Sequence, residues 1–535
     1  MVQIILKRCF IKFFLLIVVG VLLISPKGFA DSMKDTLVAA DYSDIRDLNP
    51  HLYSGEIYAQ NMLFEGLVFL DQNGDPQPWL AESWTISPDG TKYTFALREG
   101  VSFSDGTAFD AHVVKKNFDA LLDNGKRHGW LESIRLMMAF EKSGRQSVRV
   151  IDDYTVEVNF SESYYPFIIE LGMTRPFRFL SPKCFKEGIT KKGVSCLAGT
   201  ASYVLKTHQL DEYSEFVINP NYWGEKPEIK KVVIKVIPDN QARLWALQKG
   251  DIDMIYGLQL VFPNNFRQFE KSGEFGTAMS DPMSTRMLIL NTTSPILKDV
   301  KVRKALQHLT NKKIIAENIM MGLEAPADTL FSRSVPYADI DLPAYELDPA
   351  KATALLQEAG WKKEGQFFRK NGKPLEIIVL YDSDKVIEKT IAQFLQSEWK
   401  KHGVLLRLQG EEAQSHRDRL NGGKYDIAFH VSWGVPYDPQ SFMAGMRKPA
   451  HGDMVAQQGL KQKKKIDDTI LAALKSVDEQ DRQNKYTYVL ETLHNEAVYI
   501  PLTYERNRAI FNKRVKNVGF NPSQFEIPFD RMTVE

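Results

Sequence analysis

The sequence predicts an exported, mixed α/β protein of two or three domains, and three observations predict it. Strand-like alternation and helix-like periodicity interleave along the chain. A length of 535 residues exceeds what one hydrophobic core organises. The amino terminus carries a basic segment, an apolar run and a small-residue cleavage pattern.

In chain order, Lys7, Arg8 and Lys12 precede an apolar run over residues 13–24, and Gly28 and Ala30 occupy the −3 and −1 positions of a cleavage site. The run is shorter than the ~20 residues a membrane span needs, so residues 1–30 read as a cleaved signal peptide. Cys9 lies before the apolar core and cannot serve as a lipid-bearing cysteine of the mature chain. Processing would remove Lys7, Arg8, Lys12 and Lys27 and no acid, leaving 64 Lys and Arg against 67 Asp and Glu. This balance gives no support for a nucleic-acid or anionic-membrane partner. A soluble periplasmic monomer starting near Asp31 is expected.

Strand patterns occur at residues 147–160, 229–237, 286–291, 375–381 and 426–431, and amphipathic helix patterns at 111–122, 300–309, 349–359, 385–401 and 465–474. Asp89-Gly90 reads as a hairpin turn, Ser104-Asp105-Gly106 as a second turn, and Asp110 as the cap of the helix from Ala111. Ala359-Gly360 is a helix stop. The lysines around Lys463 read as a solvated helix start. No repeat or flexible linker appears, which favours domains joined by crossing strands. Cys184 and Cys196 enter an oxidising compartment; a disulfide, free thiols and a thiolate metal site all remain open.

The chain lacks G-x-S-x-G, G-x-G-x-x-G, Walker A and H-E-x-x-H patterns, and His494-Asn495-Glu496 has no second histidine. This shifts weight from catalysis to binding. Residues 431–451 are the most suggestive segment. Trp433 and Tyr437 stand on a Gly- and Pro-rich turn past a strand, and His451 follows as a lone nitrogen ligand. His430 reads as a packed structural histidine.

Pro78-Trp79-Leu80-Ala81-Glu82-Ser83-Trp84, Pro88-Asp89-Gly90, Phe103-Ser104-Asp105-Gly106, Asn219-Pro220-Asn221-Tyr222-Trp223-Gly224 and Gly250-Asp251-Ile252-Asp253 follow in order. Together they resemble the signature of the family 5 solute-binding proteins, the dipeptide, oligopeptide and nickel group of ABC importers. Within it, Asn49-Pro50-His51-Leu52-Tyr53, Arg127-His128-Gly129-Trp130, Arg175-Pro176-Phe177-Arg178, Trp433-Gly434, Pro436-Tyr437-Asp438-Pro439 and His451 resemble the nickel-binding members.

That resemblance implies a two-lobe binding-protein fold of type II with an extra subdomain and a ligand site in the hinge cleft. Lobe one would hold residues 31–275 and 500–535, with 70–185 inserted, and lobe two 276–499, hinged near 288–291 and 499–502. It implies a site of Tyr53, Arg127, Trp130, Arg175, Trp433 and Tyr437, with His451 as the metal ligand. His51 and His128 are kept as structural. Nickel prefers nitrogen and oxygen ligands, and one histidine cannot fill its shell. Two arginines would repel a bare cation. The set therefore suits nickel chelated by a small carboxylate-bearing molecule, free histidine being the one the resemblance favours, with Arg127 and Arg175 clamping carboxylates. Ile57, Arg417 and Phe525 depart from the family pattern and bear on the chelator. The implied function is capture of the chelate for an ABC permease. The alternatives are a peptide- or haem-binding importer component, although no acidic anchor for a peptide amine is evident, a chaperone or sensor, and lastly a hydrolase.

Overall fold

The computed structural model describes residues 35–449 and 451–535; the expected signal peptide lies outside the described residues. Among these, no helix is long and apolar enough to cross a membrane.

Two strand-and-helix units share one sheet. In the first, Thr36–Asp41 pairs in parallel with Lys231–Val236 and with Met254–Tyr256. In the second, Glu376–Asp382 pairs in parallel with Leu405–Glu411 and with Ile427–Val431. Parallel neighbours need crossover connections; helices Asn240–Lys249 and Val386–Lys401 lie within two of them. The units are joined by two long antiparallel strands, Gly276–Leu290 and Tyr499–Phe511, paired from Gly276 opposite Phe511 to Ile289 opposite Tyr499 with register shifts between. One end of the pair, Leu288, Leu290, Ile500 and Leu502, packs around buried Trp399. The other end sends Ile510 into a core with Leu247 and Ile255, and Ala509 into one with Met254.

A separate four-stranded sheet runs Ala81–Ile86, Lys92–Leu97, Thr155–Asn159, Val148–Asp152. Helix Ala111–Asp123 buries Val114, Phe118 and Leu121 in the same core as that sheet's Phe95 and Val156. The same core continues into Phe442, Leu474 and Tyr486. Across this junction Tyr165 N–H donates to the Leu474 carbonyl at 3.0 Å, and the Arg482 guanidinium stacks 3.5 Å over the Tyr165 ring.

All five helix patterns appear, as Ala111–Asp123, Val300–Leu309, Pro349–Glu358, Val386–Lys401 and Lys463–Lys475. Two strand expectations change. Residues 147–160 form a hairpin instead of one strand, because Asp152 accepts the Tyr154 N–H and turns the chain. The strand expected at 286–291 is the end of one 15 residues long. Its first half was hidden by Ser280, Asp281 and Pro282, which break the alternation; Pro282 lies between two irregularities in the ladder, where a missing N–H is tolerated. Cys184 and Cys196 are disulfide-bonded, which resolves the three options left open by the sequence.

Asp110 caps its helix by accepting the Val113 N–H at 2.8 Å. Asp110→Ala is expected to lower unfolding free energy by about 1 kcal/mol, and Asp110→Asn by a few tenths, measured by urea titration.

Candidate ligand cleft

The sheet launches one wall of the cleft directly. Ile427–Val431 pairs with the joining strand, Val431 opposite Arg286, and the chain then turns through Trp433 and Gly434. Buried Asp438 fixes this turn by accepting N–H groups from Trp433 at 3.1 Å and Gly434 at 2.8 Å. Burial pushes the Asp438 pKa up to about 7, opposed by a hydrogen bond from Ser432 and those from the two backbone amides. Gly434 has φ +71°, and a Cβ there would meet the Met283 carbonyl oxygen at 2.7 Å, so only glycine fits. Gln524 Nε2 donates to the Trp433 carbonyl at 3.1 Å.

His451 sits against this turn, its ring centroid 4.4 Å from that of Trp433 and 6.4 Å from that of Trp130. Trp130 meets Trp433 edge-on at 5.9 Å, and Tyr437 lies 6.0 Å from Trp433. Burial holds the His451 pKa down, to about 4; the Asp453 carboxylate opposes the shift and His430 adds to it. A neutral imidazole is the form that ligates metal. Neither His451 ring nitrogen hydrogen-bonds to a described residue. Behind it, buried Asp453 is held by His430 Nε2 at 3.0 Å and by the Tyr499 hydroxyl at 2.8 Å, and Gln457 Nε2 donates to that hydroxyl at 2.8 Å. Burial opposes ionisation of Asp453, but His430 and Tyr499 outweigh it and hold its pKa below the ordinary carboxylate value. His430 is thus a supporting residue, as expected.

The opposite wall carries Tyr53, Trp130 and Arg175. Arg175 Nη1 donates to the carbonyls of Ser54 at 3.2 Å and Gly55 at 3.0 Å, and its guanidinium lies 5.7 Å from the Tyr53 ring. Its Nε and Nη2 have no hydrogen-bond partner among the described residues, and Arg175 lines the cleft. Tyr53 packs 5.5 Å from Trp130 and 5.2 Å from His128, and its buried hydroxyl is unpartnered. Lys448 Nζ spans the two walls, donating to the carbonyls of Gly129 and Trp130, both at 3.1 Å.

Six of the seven expected site residues, Tyr53, Trp130, Arg175, Trp433, Tyr437 and His451, line one cleft of about 570 Å³ that opens to solvent. Arg127 does not. Its loop turns twice, through Arg127 N–H to the Asn124 carbonyl and Leu131 N–H to the His128 carbonyl. This buries His128 completely and leaves Arg127 exposed, outside the cleft lining. Of the three departures, Ile57 and Phe525 line the cleft, whereas Arg417 is exposed on helix Ala413–Asn421, bonded to Gln414, and does not. The cleft also contains Asp41, Glu56 and Tyr58, which sequence reasoning missed. Nothing local marks them; Asp41 reaches the cleft at the end of strand Thr36–Asp41, and Glu56 and Tyr58 at the start of helix Ile57–Leu63.

Residues 75–454 match the family model described as bacterial extracellular solute-binding proteins, family 5. The chain belongs to this family. It is 40% identical over 502 residues to the nickel-binding periplasmic protein of Escherichia coli (strain K12), covering 93% of this chain and 94% of that one. The crystal structure of NikA from Brucella suis in complex with Fe(III)-EDTA has a TM-score of 0.90 at 41% identity, covering 94% of this chain and all of that one. That of NikZ from Campylobacter jejuni in complex with Ni(L-His) has a TM-score of 0.77 at 25% identity, over 94% and 99%. The two-lobe family fold expected from the sequence is therefore the fold of this chain.

The electrostatics of this family member give a direct expectation for His451. Its ring resonance, assigned by its loss in His451→Ala, should titrate near pH 4 in a histidine-labelled NMR experiment. A midpoint near the ordinary 6.5 would contradict the half-buried, neutral imidazole.

Proposed function

We propose that this chain captures nickel as a complex with a small carboxylate-bearing chelator, free histidine being the leading candidate, and presents it to an ABC permease in the cytoplasmic membrane. One observation carries the reading: a neutral, unpartnered His451 faces the same cleft as Arg175, walled by Trp130, Trp433 and Tyr437. Among the described residues no group of three or more His, Cys, Asp or Glu could hold a metal ion. One nitrogen leaves most of a nickel shell to be filled from elsewhere. Arg175 would hold a carboxylate of the chelator through its free donors. Likeness at 40% identity to a relative named for nickel supports the cargo, while the relatives named for oligopeptides and dipeptides are 27% and 25% identical.

In this reading lobe one spans residues 31–275 and 500–535, with 70–185 inserted, and lobe two 276–499. The ligand binds between them and favours the closed arrangement because it contacts both walls at once. Residues 1–30 direct export to the periplasm, and the protein works as a monomer without turnover. Arg127, outside the cleft, is left out of the ligand set.

Isothermal titration of metal-stripped protein should show tight binding only when Ni²⁺ and L-histidine are both present. His451→Ala and Arg175→Ala should each weaken it by about tenfold or more, a loss of ~1.4 kcal/mol or more. Arg127→Ala should change it by less than about twofold, as for a surface charge. Binding of di- or tripeptides without nickel, and none of the nickel complex, would overturn the proposal.

A further inference from the structure

His451 rides on a loop that is tied on both sides, and the two ties go to different walls. Two residues after it, Asp453 is bonded by His430 of strand Ile427–Val431 and by Tyr499 of the joining strand Tyr499–Phe511. Three residues before it, Lys448 reaches to the opposite wall. Its ammonium donates to the carbonyls of Gly129 and Trp130, both at 3.1 Å, and to the Glu132 carboxylate at 3.4 Å. An ammonium has three N–H donors, so all three are spent on residues 129–132. Lys448 is not among the residues that line the cleft. It therefore joins the walls without touching what lies between them.

The receiving side is built for a cation. Glu132 opens helix Glu132–Glu141 and is 1% exposed. Arg135, one turn on, bonds both of its oxygens, and Arg447 Nη1 stands 4.0 Å away. Burial opposes ionisation of Glu132, but Arg135, Lys448 and Arg447 outweigh it and hold its pKa below the ordinary carboxylate value. The residue whose carbonyl Lys448 holds, Trp130, is also the one whose ring faces His451 at 6.4 Å and Trp433 at 5.9 Å. Lifting Lys448 off residues 129–132 thus frees His451 to move away from Trp130. The fold does not depend on the tie. Without the ammonium, Glu132 keeps Arg135 as its partner, and exposed Gly129 and half-buried Trp130 can turn their carbonyls to water.

We infer that Lys448 is a positioning residue for capture, a latch that holds the His451 loop to the wall carrying Trp130 and Arg175. Its bonds to residues 129–132 exist only while the walls are together, so they favour the closed arrangement and leave the open one unchanged. Charge-assisted bonds to a buried carboxylate are the stronger kind. The apparent affinity of a ligand gripped from both sides rises with the fraction of protein already closed. The bearing on nickel capture rests on the function proposed above; the latch itself does not.

Spin labels on Lys142→Cys and Lys400→Cys report the separation of the walls; both positions are exposed, and Cys184 and Cys196 are bonded to each other. Pulsed dipolar distances in the ligand-free mature chain should show a short-distance population that falls about threefold or more in Lys448→Met and stays within about twofold in Lys448→Arg, which keeps the charge. Calorimetry with Ni²⁺ and L-histidine should show binding about fivefold or more weaker in Lys448→Met and within about twofold of the unsubstituted protein in Lys448→Arg. The urea unfolding midpoint of Lys448→Met should be unchanged. An unaltered distance distribution in Lys448→Met overturns the inference, whatever the affinities. So does an affinity loss that Lys448→Arg shares in full, which marks local damage to the loop, and so does an unaltered affinity beside a shifted distribution. If no nickel complex binds the unsubstituted protein, the nickel reading fails and the distances alone decide the latch.

Discussion

The rest of the molecule depends on one antiparallel ladder. Gly276–Leu290 and Tyr499–Phe511 pass between the two strand-and-helix units and donate core side chains at both ends. The Trp433 turn is launched from a strand hydrogen-bonded to this ladder, whereas Arg175 and Trp130 belong to the segment that packs with the separate four-stranded sheet. The placement of His451 opposite Arg175 is therefore set where two strands cross. At the crossing the ladder shifts register near Pro282, and beside it lies a buried charge network: Arg286 pairs with Glu505 at 2.6 Å and Glu324 at 3.4 Å, and Thr503 donates to Glu324 at 2.6 Å. Such a network is stable only with every member in place, because an orphaned buried charge costs several kcal/mol. It ties the geometry of the crossing to a unique set of partners.

Burial then divides labour among titratable groups that share one cleft. It strips the proton from His451 and leaves a ligand nitrogen available. It raises Asp438, whose oxygens are nonetheless used as acceptors to hold the Trp433 turn. Asp453 behaves oppositely, because His430 and Tyr499 supply what burial removes. The environment assigns the roles, and residue type alone does not.

How much of this was legible in the sequence varied by element. Helices with clean periodicity and explicit caps, such as the one from Asp110, were readable because their signals are local. The long joining strands were readable only at their apolar ends, since Pro282 and its polar neighbours erase the alternation where the strands cross. Trp433, Tyr437 and His451 were found because they are close in sequence and match a family pattern. Arg127 was misplaced because motif matching cannot tell which side chain of a tight loop turns inward; His128 and Trp130 took the inward positions. Asp41 and Glu56 carried no signal, since only the tertiary fold brings them to the cleft.

The depressed basicity of His451 has a thermodynamic consequence for capture. Because the imidazole is already unprotonated in the free protein near neutrality, its coordination to a metal exchanges no proton with the medium. Metal and hydrogen ion then compete on the chelator and not on His451. The heat of association carries no buffer-dependent part from this residue.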